Sequence, residues 1–131
     1  PNIRRLGHVF THEHNAFNCS NLAVLNINRQ SMASYGYSPP TRIFEAAGAG
    51  ACIITDAWEG IGQFLKPGSE CLVARSGCEV AEYVRELNSS DAAIMGEAAR
   101  RRVLAEHTYF SRAREVEQVL GTLVNREGVK L

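Results

Sequence analysis

Two short runs, Leu22-Ala-Val-Leu-Asn-Ile27 and Ala51-Cys-Ile-Ile-Thr55, are apolar at nearly every position instead of at alternate ones. A strand with water on one face alternates, so unbroken runs need cover on both faces. Parallel sheets layered between helices supply that cover. A third run, Glu70-Cys-Leu-Val-Ala74, is shorter, and a fourth, Ile3 to Val9, is weakened by Arg4 and Arg5.

Helical patterns fill the gaps between these runs. His12 to Ser20 makes a short one. Pro40 to Ala49 is better marked, with Ser38 as its cap, Pro39 and Pro40 suited to its first turn, and Gly48 and Gly50 at its end. A turn of helix is expected over Glu59 to Leu65. Beyond it Val80, Val84 and Leu87 place one stripe of Glu79–Asn88 against a core. Ser89-Ser90-Asp91 offers caps for a helix reaching about Ala105. A last helix starts near Thr108, with Ala113, Val116, Leu120 and Leu123 on one face. Strands alternating with helices indicate an open α/β sheet of about four strands with a helical tail.

At 131 residues the chain suits a single domain, 1–131. Fourteen Lys and Arg balance fourteen Asp and Glu. That balance gives no pull toward nucleic acid or an anionic membrane. The run Arg100-Arg101-Arg102 reads as a solvated helix face, because Glu97 and Glu106 lie at neighbouring turns. No apolar stretch approaches the ~18 residues of a membrane span, and no secretory leader is evident. Cys19, Cys52, Cys71 and Cys78 lack paired spacing, so free thiols in a reducing, cytoplasmic compartment are expected.

Ligands of open α/β sheets collect beyond the carboxyl ends of the strands. The longest loop there runs from Asn28 to Pro40 and ends at a helix N-terminus, whose free N–H groups favour a phosphate or carboxylate. Arg29 and Arg42 flank it and suit bidentate anion contacts, or else they are surface charges. Glu45 lies one turn beyond Arg42 among Ala and Gly. It either pairs with Arg42 or accepts hydrogen bonds from neighbouring ligand hydroxyls, two ribose hydroxyls matching its two oxygens. His8 follows Gly7 at the end of the weak Ile3–Val9 run, where ligand sites occur. With His12 and His14 it forms H-x3-H-x-H, which is no strong metal signature. Asp56, Trp58 and Glu59 follow the Ala51–Thr55 run at the same edge, with Trp58 read as a packing aromatic. No nucleophile elbow, P-loop or dinucleotide fingerprint is present, and no catalytic residue is assigned.

Ser38-Pro-Pro-Thr-Arg-Ile-Phe-Glu45, Ala46-Ala-Gly-Ala-Gly50 and Ile53-Ile-Thr-Asp56 together resemble the donor-side signature of GT-B glycosyltransferases. The likeness is to the group-1-like branch typified by CgeB spore-maturation proteins. Leu25-Asn-Ile-Asn-Arg29, Phe64-Leu-Lys-Pro-Gly-Ser-Glu70, Glu106-His-Thr-Tyr109 and Arg112 extend it over nearly the whole chain.

The resemblance implies a partial Rossmann-like domain, the nucleotide-sugar-binding half of a two-domain transferase. Glu45 matches the family glutamate that holds the donor ribose. Tyr37, Ser38 and Pro39 match the loop that approaches the diphosphate, and Arg29 and Arg42 match basic or polar positions. No metal and no other cofactor is implied. The sugar passes from the nucleotide to a glycan, lipid or protein hydroxyl. Where many retaining relatives carry a second glutamate, this chain has Tyr37. Related donor domains begin with two more strand–helix units and belong to a longer protein with an N-terminal acceptor domain. The chain is therefore expected to be inactive alone and to show a repacked first strand, an exposed sheet edge or repair by dimerisation. The alternative is a non-catalytic nucleotide-sugar-binding or protein-interaction α/β module.

Overall fold

The computed structural model describes residues 4–127, with side chains described through residue 122. Three parallel strands, β1 (Val24–Asn26), β2 (Ile53–Asp56) and β3 (Leu72–Ala74), lie in the order β1-β2-β3. Val24, Leu25 and Asn26 face Ile53, Ile54 and Thr55 in register. Ile54, Thr55 and Asp56 face Leu72, Val73 and Ala74. The central strand is buried over Ile53, Ile54 and Thr55, as its unbroken apolar run requires.

Helices α1 (His14–Cys19) and α2 (Gln30–Ala33) flank β1 in sequence, and α3 (Thr41–Gly48) leads to β2. The short α4 (Ile61–Phe64) lies between β2 and β3. Helices α5 (Gly77–Glu86), α6 (Ser89–Glu106) and α7 (Tyr109–Glu127) complete the order. The fold is thus α/β, a parallel sheet flanked by helices with a helical C-terminal tail. Its core joins Val24 and Ile53 of the sheet to Ile43, Ala46 and Ala47 of α3, and to Ala99 and Val103 of α6. Trp58, Leu65 and Cys71 extend it beneath α4.

Several sequence expectations require correction. Arg4 to Val9 forms no strand and is largely exposed, so three strands stand where about four were expected, while Ile3 lies outside the described residues. Arg4 and Arg5 explain this, since a strand bearing two charges gains little from a buried sheet position. Ser38 does not cap α3: the helix begins at Thr41, and Pro40 takes the N-cap position without a side-chain bond. Helix α5 starts earlier than expected because Ser76 Oγ accepts from Glu79 N–H at 3.2 Å, while Glu79 Oε2 accepts from Arg75 N–H at 2.9 Å. That reciprocal arrangement satisfies the first turn. Val84, expected inside, is exposed. The cap of α6 is Asn88, whose Oδ1 accepts from Asp91 N–H at 2.9 Å, not the serines that follow.

The expected apolar face of α7 is also uncovered. Ala113 is exposed, Val116 is 57% exposed and Leu120 is 55% exposed, while the Leu123 side chain lies outside the described residues. All four cysteines are free. Cys52 and Cys71 are buried, and burial pushes the Cys71 thiol up to about 12. Among the described residues no helix is long and apolar enough to cross a membrane.

Candidate functional site

An open cleft of about 830 Å³ lies beside β1 and the beginning of α3. Its walls come from segments distant in sequence. Val9 and His14 precede β1, Asn28 and Arg29 follow it, and Pro39 to Arg42 with Glu45 enter from α3. The parallel sheet explains the location. The carboxyl end of β1 delivers the chain to a loop, and the next helix returns with its N-terminal end toward that loop.

Arg29, Arg42, Glu45 and Pro39 all line this cleft, so the structure brings together four of the seven residues singled out in the sequence. Both arginines are exposed. Among the described residues no ion pair joins Arg42 to Glu45. The Glu45 carboxylate remains half exposed, and the imidazole beside it is that of His14, with Nδ1 3.7 Å from Glu45 Oε2. On its other side the His14 ring donates from Nε2 to the Val9 carbonyl at 3.1 Å. That bond leaves Nδ1 as the nitrogen facing Glu45.

Tyr37, Ser38 and His8 are not among the residues lining the cleft. Tyr37 turns toward the β2 side, where its hydroxyl donates to Glu59 Oε1 at 3.1 Å. That contact is possible because Gly36 and Gly60 let two loops touch: Gly60 N–H donates to Gly36 O at 2.9 Å, and a Cβ on Gly60 would meet that same oxygen at 2.9 Å. The bond to Glu59, and then the negative charge of Glu59, raise the Tyr37 hydroxyl above its ordinary pKa. Ser38 is half-buried. His8 is exposed, with its ring edge-on to Phe10 at 4.8 Å. Trp58 is 5% exposed and packs against Phe64 at 5.8 Å, as a packing aromatic does.

A polar network closes the strand ends behind the cleft. Asn26 Nδ2 donates to Thr55 Oγ1 at 3.1 Å, and Thr55 Oγ1 donates to Asp56 Oδ1 at 3.3 Å. The same Asp56 oxygen accepts from Asn28 N–H at 3.1 Å. Asn28 itself lines the cleft, and its buried Nδ2 has no hydrogen-bond partner. An unpaired buried donor costs roughly 1–3 kcal/mol, and a ligand acceptor would recover it. Sequence reasoning did not select Asn28 or His14 for this site. The available signal was the pair of asparagines interrupting Leu25-Asn-Ile-Asn28, since amides inside an apolar run need partners there.

Among the described residues no group of three or more His, Cys, Asp or Glu is arranged to hold a metal ion. The Arg100–Arg102 run is paired with carboxylates: Glu97 lies 3.8 Å from Arg100 and 3.6 Å from Arg101, and Arg102 lies 3.4 Å from Glu70. A family model described as glycosyl transferase-like matches residues 1–118. Neither the curated proteins nor the solved structures gave a significant match.

Proposed function

The chain belongs to the glycosyl transferase-like family, and from that premise we propose that the cleft beside β1 holds a nucleoside diphosphate-sugar donor. The observation that carries this reading is the convergence of Arg29, Arg42 and Glu45 on one open cleft, at the N-terminal end of α3. In this reading the diphosphate takes the two guanidinium groups and the free N–H groups of the first turn of α3. Tyr37, Ser38 and Pro39 belong to the loop that brings the chain to that turn. The Glu45 carboxylate accepts from two adjacent ribose hydroxyls, and Asn28 Nδ2 donates to a further acceptor of the donor.

Transfer breaks the bond between the sugar's anomeric carbon and the phosphate oxygen and joins that carbon to an acceptor hydroxyl oxygen. Negative charge grows on the leaving diphosphate, where Arg29, Arg42 and the helix end stabilise it without a metal ion. The acceptor hydroxyl's proton needs a base, and none is assigned to this chain. The fuller reading is a GT-B donor domain of the CgeB-like branch, whose acceptor domain lies outside these residues, so that the chain alone binds without transferring. β1 is an outer strand of the sheet, and association through its edge belongs to the same reading. A second copy is the proposed occupant, to be read by sedimentation equilibrium.

Calorimetric titration with UDP, GDP, ADP and TDP tests the donor reading. One diphosphate is expected to bind saturably, and Glu45→Ala is expected to weaken it at least about tenfold, or 1.4 kcal/mol, with unchanged melting temperature. Arg42→Ala should weaken binding while making it less sensitive to salt. Absence of binding by every diphosphate, in this chain and in any longer protein containing it, overturns the proposal. That result favours the interaction-module reading, for which the uncovered face of α7 is the supporting observation.

A further inference from the structure

The Glu106-His-Thr-Tyr109 stretch and Arg112 take no part in the donor cleft, and they meet at the junction of α6 and α7. His107 closes α6, with its N–H donating to the Val103 carbonyl at 2.9 Å. Thr108 opens α7, its Oγ1 accepting from Ser111 N–H at 3.1 Å. The imidazole packs against two phenyl rings, Phe44 of α3 at 5.9 Å and Phe64 of α4 at 5.5 Å. Phe44 immediately precedes Glu45, so this contact reaches the helix that carries Arg42 and Glu45 to the cleft.

His107 Nδ1 lies within hydrogen-bond distance of Arg112 Nη2. A guanidinium has donors only, so Nδ1 is the acceptor and the proton of the neutral ring sits on Nε2. That Nε2 is buried beside the Phe64 backbone with no bond of full hydrogen-bond geometry. The charged groups around the ring come from every neighbouring element. Helix α7 supplies Arg112, itself 2.7 Å from Glu115. Helix α6 supplies Glu106 and Arg102, and Glu70, just before β3, lies 3.4 Å from Arg102. Helices α3 and α4 contribute the phenyl rings. Burial first, and then Arg112, hold the imidazole below the ordinary histidine range; Arg102 adds to this, while Glu106 and the Phe64 backbone oppose it.

We infer that neutral His107, in its Nε2–H form, is a positioning residue that pins the α6–α7 junction to the back of α3, and that its protonation loosens this pin. A proton on Nδ1 occupies the lone pair that Arg112 uses and sets two cations against each other. The inference is independent of which ligand the cleft holds.

Nitrogen-15 NMR of the full chain, titrated from about pH 8 to about pH 5, tests it. His107 is expected as the Nε2–H tautomer, with a midpoint below the ordinary histidine value, and the Phe44 amide should shift with the same midpoint. His107→Gln retains an acceptor for Arg112 and cannot titrate, so it should abolish the Phe44 response. His14→Gln removes the imidazole that faces Glu45 from α1 and should leave that response in place. An Nδ1–H tautomer, a midpoint at or above the ordinary histidine value, or a Phe44 response surviving His107→Gln would each overturn the inference. If His107→Gln does not fold, the tautomer and midpoint of the unmodified chain still decide.

Discussion

Helices α6 and α7 are nearly equal in length, 18 and 19 residues, yet the chain uses them differently. Helix α7 carries the plainer apolar stripe, and Val116, Val119 and Leu120 of that stripe are exposed. Helix α6 has a mixed surface but buries Ala92, Gly96, Ala99 and Val103. Those four lie on one face, at spacings of four, three and four residues, and three of them are small. Small residues let the α6 backbone approach the Gly50 turn, and close approach gains many weak dispersion contacts at once. A stripe of large residues wins nothing until a partner surface of matching shape exists. Burial therefore follows from complementarity more than from hydrophobic patterning.

The largest expected effect comes from filling that close approach. A Cβ at Gly96 would lie 2.0 Å from the Gly50 carbonyl oxygen. Gly96→Leu should therefore cost about 4 kcal/mol, read as a shifted urea midpoint, or should prevent folding outright. A wild-type midpoint for this variant would break the account of α6. Next, Ile43→Ala empties a fully buried position of α3, the helix packed against α6. About 3 kcal/mol should be lost, with the midpoint moving and the denaturant slope unchanged.

A smaller effect should follow acidification, because α7 is anchored at its first turn through His107 and Arg112. The His107 pKa is lowered in the folded chain. Its stabilising contribution is accordingly complete above the ordinary histidine value and is lost as pH falls through the lowered one. Thermal melts across that window should decline less in His107→Gln than in the unmodified chain. The smallest effect belongs to the bare stripe of α7. Leu120→Ser should change stability by no more than about 0.5 kcal/mol, since the side chain is already in water. A loss comparable to that of Ile43→Ala would show that α7 is covered in solution.

The same contrast runs through what could be read in advance. The buried character of β2 was legible because its apolar run leaves no face for water. The order of helices and strands was legible from the same runs and the glycine and proline punctuation between them. That Arg42 and Glu45 would reach the cleft was legible because their helix follows the best strand. His14 was not, since it meets Glu45 only when α1 packs beside α3, 31 residues further along the chain at the carboxylate. Tyr37 sits in the expected loop, but its hydroxyl is drawn to Glu59 by a close passage of two glycines. No local pattern announces such a passage.

The amino-acid sequence by itself determined the parallel α/β layering, and with it the strand ends where the cleft forms. It also carries the family membership that spans residues 1–118. Only the tertiary structure decided that Arg4 to Val9 would not enter the sheet, that His14 would face Glu45, and that α7 would stand apart from the core. Periodicity records which face of an element is apolar, a property of neighbouring residues. Whether that face is covered depends on surfaces contributed by distant segments, and those exist only once the chain has folded.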